Sequence, residues 1–293
     1  MQDVWHLMQQ QSWFFLMTVG LVSLCIGSFL NVVIYRLPKM METEWRNECK
    51  IILGNEDNKQ SNAKPAFNLV TPRSTCPSCN TQIKAQHNIP VLSWLLLKGR
   101  CAYCDSSISA RYPSIEMLTA ASSLWVAWHF DATPQTLLYI VLTWALIALI
   151  FIDIDKMLLP DQITQPLLWL ALLAAAAGLT IAPVDAIVGA AAGYMSLWSV
   201  YWLFKLLTGK EGMGYGDFKL LAIFGALLGW QSIITIVLLS SLVGAIIGSI
   251  QLSIQGKDKA TPIPFGPYLA IAGWLTLFYG TALKDWYLSI LGV

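Results

Sequence analysis

Charged residues are scarce in this sequence. Its 293 residues include 18 Lys and Arg and 17 Asp and Glu, so that charged residues make up 12% of the chain. Soluble domains usually carry about 25%. The basic residues form no runs and no nucleic-acid-binding motif is present, so we expect no nucleic acid partner. The net charge of +1 is too small to indicate any other partner.

A cleavable signal is also lacking. Residues 1–11 contain no basic region, and no small-residue cleavage site follows the first apolar stretch. That stretch, residues 13–35, is long enough to span a bilayer. We therefore expect it to remain in the protein as a first transmembrane helix.

Apolar residues, by contrast, are abundant. They make up 56% of the chain, with 13 Trp, and the mean hydropathy is +0.59. This composition is typical of a polytopic membrane protein. The sequence predicts an all-α fold with about eight transmembrane helices, at residues 13–35, 114–130, 135–152, 162–182, 184–204, 218–230, 232–252 and 264–281.

The distribution of basic residues predicts an orientation. Asp3 precedes the first span, whereas Arg36 and Lys39 follow it. Because cytoplasmic segments are rich in Lys and Arg, this bias places the N-terminus in the periplasm and residues 36–113 in the cytoplasm. The later loops agree, since Lys284 is the only basic residue that this topology leaves on the outer side.

Two cysteine pairs lie in the long polar segment 36–113. Cys76 and Cys79 form one Cys-x-x-Cys motif, Cys101 and Cys104 form another, and 21 residues separate them. Two such pairs can converge on one tetrahedral Zn²⁺, although the spacing slightly exceeds the usual range of about 15–20 residues. The alternatives are two disulfides or one redox-active pair, and a cytoplasmic location disfavours disulfides. Four thiolates leave no open coordination position, so the predicted zinc has a structural role.

Acidic residues cluster where the third span ends. Asp153, Asp155 and Asp161 lie there, and burying one unpaired acid in the membrane costs about 2.5–3.5 kcal/mol. Asp217 closes the motif Gly212-Met-Gly-Tyr-Gly-Asp217 and begins the sixth span at the same predicted depth as Asp153. Two facing carboxylates do not both ionise easily, so one serves as acid and the other as base. Such a pair can activate water against a peptide carbonyl.

An alternative is that these acids are merely helix ends, paired with Lys156 and Lys219. We favour that interpretation for Asp155. Asp161 follows Pro160 at the start of the fourth span, where a carboxylate can cap a helix.

Small residues four positions apart occur in several spans. The pairs are Gly189 with Gly193, Gly225 with Gly229, and Gly244 with Gly248. Such spacing predicts close helix packing, because small residues let helix backbones approach one another in lipid.

Motifs from the first span to the last resemble those of one family, the type IV prepilin peptidases of type IV pilus and type II secretion systems. The motifs that carry the resemblance are Gly27-Ser-Phe-Leu-Asn-Val-Val-Ile-Tyr-Arg-Leu-Pro38, the four-cysteine segment, Asn88-Ile-Pro-Val-Leu-Ser-Trp94, Ile108-Ser-Ala-Arg-Tyr-Pro-Ser-Ile-Glu116, Asp153 with Leu159-Pro-Asp161, and Gly214-Tyr-Gly-Asp217. The Gly-x-Gly-Asp motif also occurs in other intramembrane aspartyl proteases. Its combination with the cysteine segment is specific.

The resemblance implies a site and an activity. Asp153 and Asp217 correspond to the family's catalytic aspartates, and the four cysteines to its zinc site. The implied activity is cleavage of prepilin and pseudopilin leaders, after Gly and before a Phe-like residue, on the cytoplasmic face. Methylation of the new N-terminal amine by S-adenosylmethionine follows. The implied location is the bacterial inner membrane.

The resemblance and the hydropathy together predict three parts. These are a first transmembrane helix at 1–36, a cytoplasmic zinc-binding domain at 37–113, and a seven-helix peptidase domain at 114–293. One departure from the family is a polar, insert-like stretch at about 45–64.

Two other classes of function remain open. A proton-coupled transporter would also use membrane acids as a relay, but it would more commonly show internal repeats, and none is visible here. A non-catalytic scaffold of a secretion machine would carry the zinc segment with inert aspartates.

Overall fold

A computed structural model describes residues 2–53, 67–255 and 264–291. The described chain is helical, with no strand apart from isolated β-bridges and with one short 3-10 turn at Ala85–His87. Its helices are α1 (Gln2–Gln10), α2 (Ser12–Ile52), α3 (Leu92–Leu96), α4 (Arg111–Phe130), α5 (Pro134–Lys156), α6 (Asp161–Ala176), α7 (Pro183–Thr208), α8 (Tyr215–Leu228), α9 (Trp230–Gln255) and α10 (Gly266–Leu291).

Each of the eight predicted spans corresponds to a helix, and the all-α fold is confirmed. Within the described residues, four helices are long and apolar enough to cross a membrane: α2, α5, α7 and α9 through Ile250. That all eight cross it stays a prediction. The helix α8 has only 14 residues, which is short for a span of about 20.

Several predicted boundaries were wrong. The helix α2 does not end at residue 35 but continues to Ile52, because residues 36–52 are rich in helix-forming Met, Glu, Lys and Arg. The fourth helix ends at Ala176 rather than 182, because Gly178 takes a left-handed conformation (φ +73°) just beyond it. Hydropathy shows which residues are apolar, and the end of an apolar run need not coincide with the end of a helix.

The chain divides into two compact units, Met1–Thr136 and Leu137–Val293. In the first unit, α4 packs along α2. The two helices approach closely at Gly27, where an added methyl group would lie 2.7 Å from Glu116 Cα. This division groups α4 with the N-terminal part, whereas the three-part division at 36 and 113 stays a prediction.

The second unit is built around α8. The helices α6, α7, α9 and α10 all pack against it, and almost every side chain from Asp217 to Leu227 is buried. A helix that is apolar all round is expected in such a central position. The predicted close packing is confirmed at Gly189 and Gly225, where a methyl group on either would collide with the backbone of the other.

Some sequence-based predictions lie outside the described residues. They concern positions 54–64 of the insert-like stretch, and Lys257, Lys259 and Pro262 in the predicted segment 253–263.

Candidate active site and metal centre

Asp153 lies in the last turn of α5, and its side chain is buried, with 5% exposure. The backbone N–H of Gly266, at the start of α10, donates a hydrogen bond to its carboxylate. The helix ends just beyond, where Met157 adopts a positive φ of 54° and donates its N–H to the Asp153 carbonyl at 2.8 Å. The end of α5 therefore fixes this carboxylate against the beginning of α10.

Asp217 lies in the first turn of α8 and is equally buried, with 6% exposure. The backbone N–H of Gly214, which is the N-cap of α8, donates to its carboxylate. The Oδ1 atom is buried and has no hydrogen-bond partner among the described residues. A buried polar atom without a partner is costly, and at a carboxylate it marks a place where another donor can bind.

The two aspartates interact with each other. The negative charge of Asp153 acts on Asp217, so the fold brings together two carboxyl groups from separate helices of the second unit. Two buried, neighbouring carboxyls favour a state in which one keeps its proton. The arrangement can therefore supply an acid and a base at one place.

The other two acids of the cluster do not share this environment. Asp155 is exposed, and Asp161 is also exposed. Lys219 donates to both carboxylate oxygens of Asp161, at 2.6 and 2.8 Å. The alternative that Lys219 pairs with Asp217 at a helix end does not match this geometry. Asp161 is the first residue of α6 rather than its cap, because Pro160 occupies the N-cap position.

The four cysteines converge. One sulfur from each of Cys76, Cys79, Cys101 and Cys104 lies within 4.8 Å of all the others. All are free thiols, so the alternative of two disulfides does not match the structure. The sulfurs of Cys76 and Cys104 are 3.8 Å apart, which is about the separation of two thiolates bound to one tetrahedral zinc at ~2.3 Å.

Two equivalent turns produce this convergence. In the first, the Cys76 carbonyl accepts from the N–H of Asn80 at 2.9 Å; in the second, the Cys101 carbonyl accepts from that of Asp105 at 3.1 Å. Asn80 and Asp105 both have left-handed φ values, of 53° and 55°, which these residue types tolerate. A β-bridge closes each turn, Thr75 with Gln82 and Arg100 with Ser107.

Backbone donors favour the metal-binding form of Cys76. Hydrogen bonds from the N–H groups of Cys79 and Ser78 lower the pKa of the Cys76 thiol to about 6. The thiolate is the form that binds metal. Donor type and spacing therefore fit a metal ion bound by four thiolates, and the electrostatics of Cys76 favour its thiolate form.

Sequence reasoning missed two contributors. Gly266 donates to Asp153 through its backbone, and no side chain in the sequence signals this contact. Glu116 is buried and accepts a 2.7 Å hydrogen bond from the Val91 N–H. Val91 has a positive φ of 59°, unusual for a β-branched residue, so Glu116 stabilises a turn that the sequence alone does not favour.

The described residues thus combine helices long and apolar enough to cross a membrane with a buried carboxyl pair and a four-thiol cluster, the combination expected of a membrane-embedded aspartic peptidase. The chain belongs to the type IV leader peptidase family. That family's model matches residues 140–249, which include both aspartates. A model described as the bacterial peptidase A24 N-terminal domain matches residues 21–130, which include the four cysteines.

Relatives cover nearly the whole chain, and three named prepilin leader peptidase/N-methyltransferase illustrate the similarity. The protein of Aeromonas salmonicida is 56% identical over 94% of this chain and 95% of its own. That of Pseudomonas aeruginosa is 52% identical, over 95% of both chains. That of Legionella pneumophila is 47% identical over 94% of this chain and 96% of its own. No solved structure matches the chain.

Proposed function

We propose that this protein is a membrane aspartic endopeptidase that removes the leader peptides of type IV prepilins and pseudopilins. The observation that carries the proposal is the meeting of Asp153 and Asp217, both buried, from the end of α5 and the start of α8. The names of the relatives support the substrate class.

The mechanism follows from the two carboxyl groups. The ionised carboxyl takes a proton from a water molecule, whose oxygen adds to the scissile carbonyl carbon. The protonated carboxyl donates to the carbonyl oxygen, which gives a tetrahedral intermediate. Its C–N bond then breaks as the amine takes the proton that came from water, and the second carboxyl regains its own proton from the intermediate's hydroxyl group. The N–H groups of Gly266 and Gly214 hold the carboxyls in place. Because the protons belong to the coupled pair, neither aspartate is assigned a fixed role.

The second proposed activity is methylation of the new N-terminal amine by S-adenosylmethionine. It is supported by the N-methyltransferase in the names of the relatives. No residue is assigned to the methyl donor.

The four-cysteine cluster is proposed to bind a structural Zn²⁺. Four thiolates complete a tetrahedral shell, so that no position remains for water or substrate. The metal would join the two turns around Cys76 and Cys101.

The proposed location is the bacterial inner membrane, with several spans. The N-terminus is periplasmic and the cysteine segment cytoplasmic in this proposal, which the distribution of Lys and Arg supports. The bilayer is then the environment of the exposed apolar faces of helices such as α7 and α9.

The test is cleavage of a synthetic prepilin by the purified protein in detergent. We expect cleavage after the leader's Gly by the wild type and by Asp155→Asn, whose exposed carboxylate lies in the same turn of α5 as Asp153. A proton-coupled transporter or a scaffold would leave the substrate intact. Failure of the wild-type protein to cleave would thus favour one of those two classes and refute the proposal.

A further inference from the structure

The segment between α5 and α6 contacts the backbone beside both members of the carboxyl pair. It consists of Met157 to Pro160, in which Leu158 and Leu159 are half-buried and Pro160 is buried. The segment begins one helical turn after Asp153 along the chain.

Leu159 lies against the backbone beside Asp217. A methyl group added to Gly216 would be only 2.6 Å from Leu159 Cβ and 3.1 Å from its Cδ1. Carbon atoms in contact are normally about 3.5–4.0 Å apart, so only glycine fits at position 216. Leu159 therefore packs closely against Gly216, the residue that precedes Asp217.

The same side chain reaches the residue that holds Asp153. A methyl group added to Gly266 would lie 3.2 Å from Leu159 Cδ1 and 2.5 Å from Asp153 Oδ2. Leu159 thus lies between two glycines. One of them precedes Asp217, and the other binds the Asp153 carboxylate through its N–H.

An ion pair links Asp161, the residue that follows this segment, to α8. Asp161, which begins α6, is bound by Lys219 through both carboxylate oxygens. Lys219 lies two residues after Asp217, in the same first turn of α8. Residues two apart point to different sides of a helix, so this bond anchors the turn from the side away from the Asp217 carboxyl.

We infer that Leu159 and the Asp161–Lys219 ion pair act as one positioning element that sets the separation of the Asp153 and Asp217 carboxyls. Leu159 keeps the α8 and α10 glycines apart, and the ion pair prevents the start of α8 from shifting along α6. Neither Leu159 nor Asp161 touches the reacting atoms. The inference rests on the proposed peptidase activity, because its effect is read through turnover.

A size exchange at Leu159 and Gly216 tests the inference. Gly216→Ala forces Leu159 away, and we expect kcat to fall about tenfold to hundredfold, as for a displacement of roughly 1 Å at a catalytic group. Adding Leu159→Gly removes the colliding Cβ, and we expect it to restore much of that loss. A role in packing alone predicts the opposite, since the double variant has lost still more apolar surface.

Two single variants keep the test decisive should the double variant not fold. Leu159→Ala is expected to lower kcat with little change in KM, the pattern of a lost transition-state interaction. The neighbouring Leu158→Ala is the control, expected to keep the wild-type kcat. Asp161→Asn is expected to lower kcat in the same way, and Asp161→Glu to restore part of it.

The outcomes separate the inference from the proposed function. If the wild-type protein does not cleave prepilin, the proposed function fails. If it cleaves, and the Gly216→Ala loss is absent or is not relieved by Leu159→Gly in a folded double variant, the positioning role is overturned. Wild-type kcat in both Leu159→Ala and Asp161→Asn overturns it as well. Melting temperature in detergent is measured for each variant, so that misfolding is recognised.

Discussion

Replacing Cys101 by Ser should abolish binding of the proposed Zn²⁺ and unfold the cysteine segment, residues 67–110. Cys101 is 6% exposed and lies inside the cluster. In the whole segment only Cys76, Ser93, Gly99 and Cys101 are buried. No large apolar side chain is among them. A segment with so little core depends on another source of stability.

The expected size of the effect follows from comparing the metal with the remaining contacts. A structural zinc bound by four protein ligands contributes about 10–16 kcal/mol at neutral pH. Besides its own turns, the segment is held by Arg36, which donates to the carbonyls of Asn68 at 2.9 Å and Pro72 at 2.7 Å. It is also held by Glu116 of α4, which accepts from the Val91 N–H at 2.7 Å. Hydrogen bonds with a charged group contribute about 1.5–3 kcal/mol each, so they cannot replace the metal.

The assay combines metal analysis with limited proteolysis of the purified protein. We expect Cys101→Ser to bind no zinc and to be cut within residues 67–110, while circular dichroism shows the long helices intact. The matched control is Cys49→Ser, because Cys49 is exposed and lies on α2 outside the cluster. A Cys101→Ser protein that keeps one zinc and resists protease as the wild type does would refute the reasoning.

Two further predictions concern the N-terminal unit. Gly27→Leu should lower the thermal unfolding temperature, because an added Cβ lies 2.7 Å from Glu116 Cα and overpacking costs about 1–3 kcal/mol; Gly20→Ala, whose methyl group meets Leu124 at an ordinary 3.6 Å, should not. Glu116→Ala should cost about 1–3 kcal/mol by removing the acceptor of the Val91 N–H, and hydrogen exchange at that amide should become faster. Equal unfolding temperatures for the two glycine variants would contradict the close contact at Gly27. Unchanged hydrogen exchange at the Val91 amide in Glu116→Ala would contradict the hydrogen bond between Val91 and Glu116.

The helices could be predicted from the sequence better than their ends. Long apolar runs located every long helix, since each must bury or present an apolar surface. The end of α2 was missed because polar helix formers extend it to Ile52, past Pro38, a residue that usually ends a helix. In the sequence, α8 could be recognised only as a short, glycine-containing apolar span. Its central position explains why 14 residues suffice there.

The candidate site was predictable where it depends on side-chain chemistry. Acids in apolar surroundings pointed to Asp153 and Asp217, and paired thiols pointed to the metal cluster. The contacts that hold the acids were not predictable, because Gly266 acts through its backbone and Leu159 through its shape. Both depend on how distant parts of the chain meet, which local patterns do not specify.

The most direct test of the central claim is the rate at which Asp153→Asn and Asp217→Asn each cleave a synthetic prepilin, measured beside the wild type under single-turnover conditions. An amide can neither accept nor release the required proton, so each variant should be slower by about 10²–10⁴-fold. Both variants should still bind the substrate and keep their helical content. Cleavage at the wild-type rate by either variant would contradict the claim that the two carboxyls carry out the reaction together.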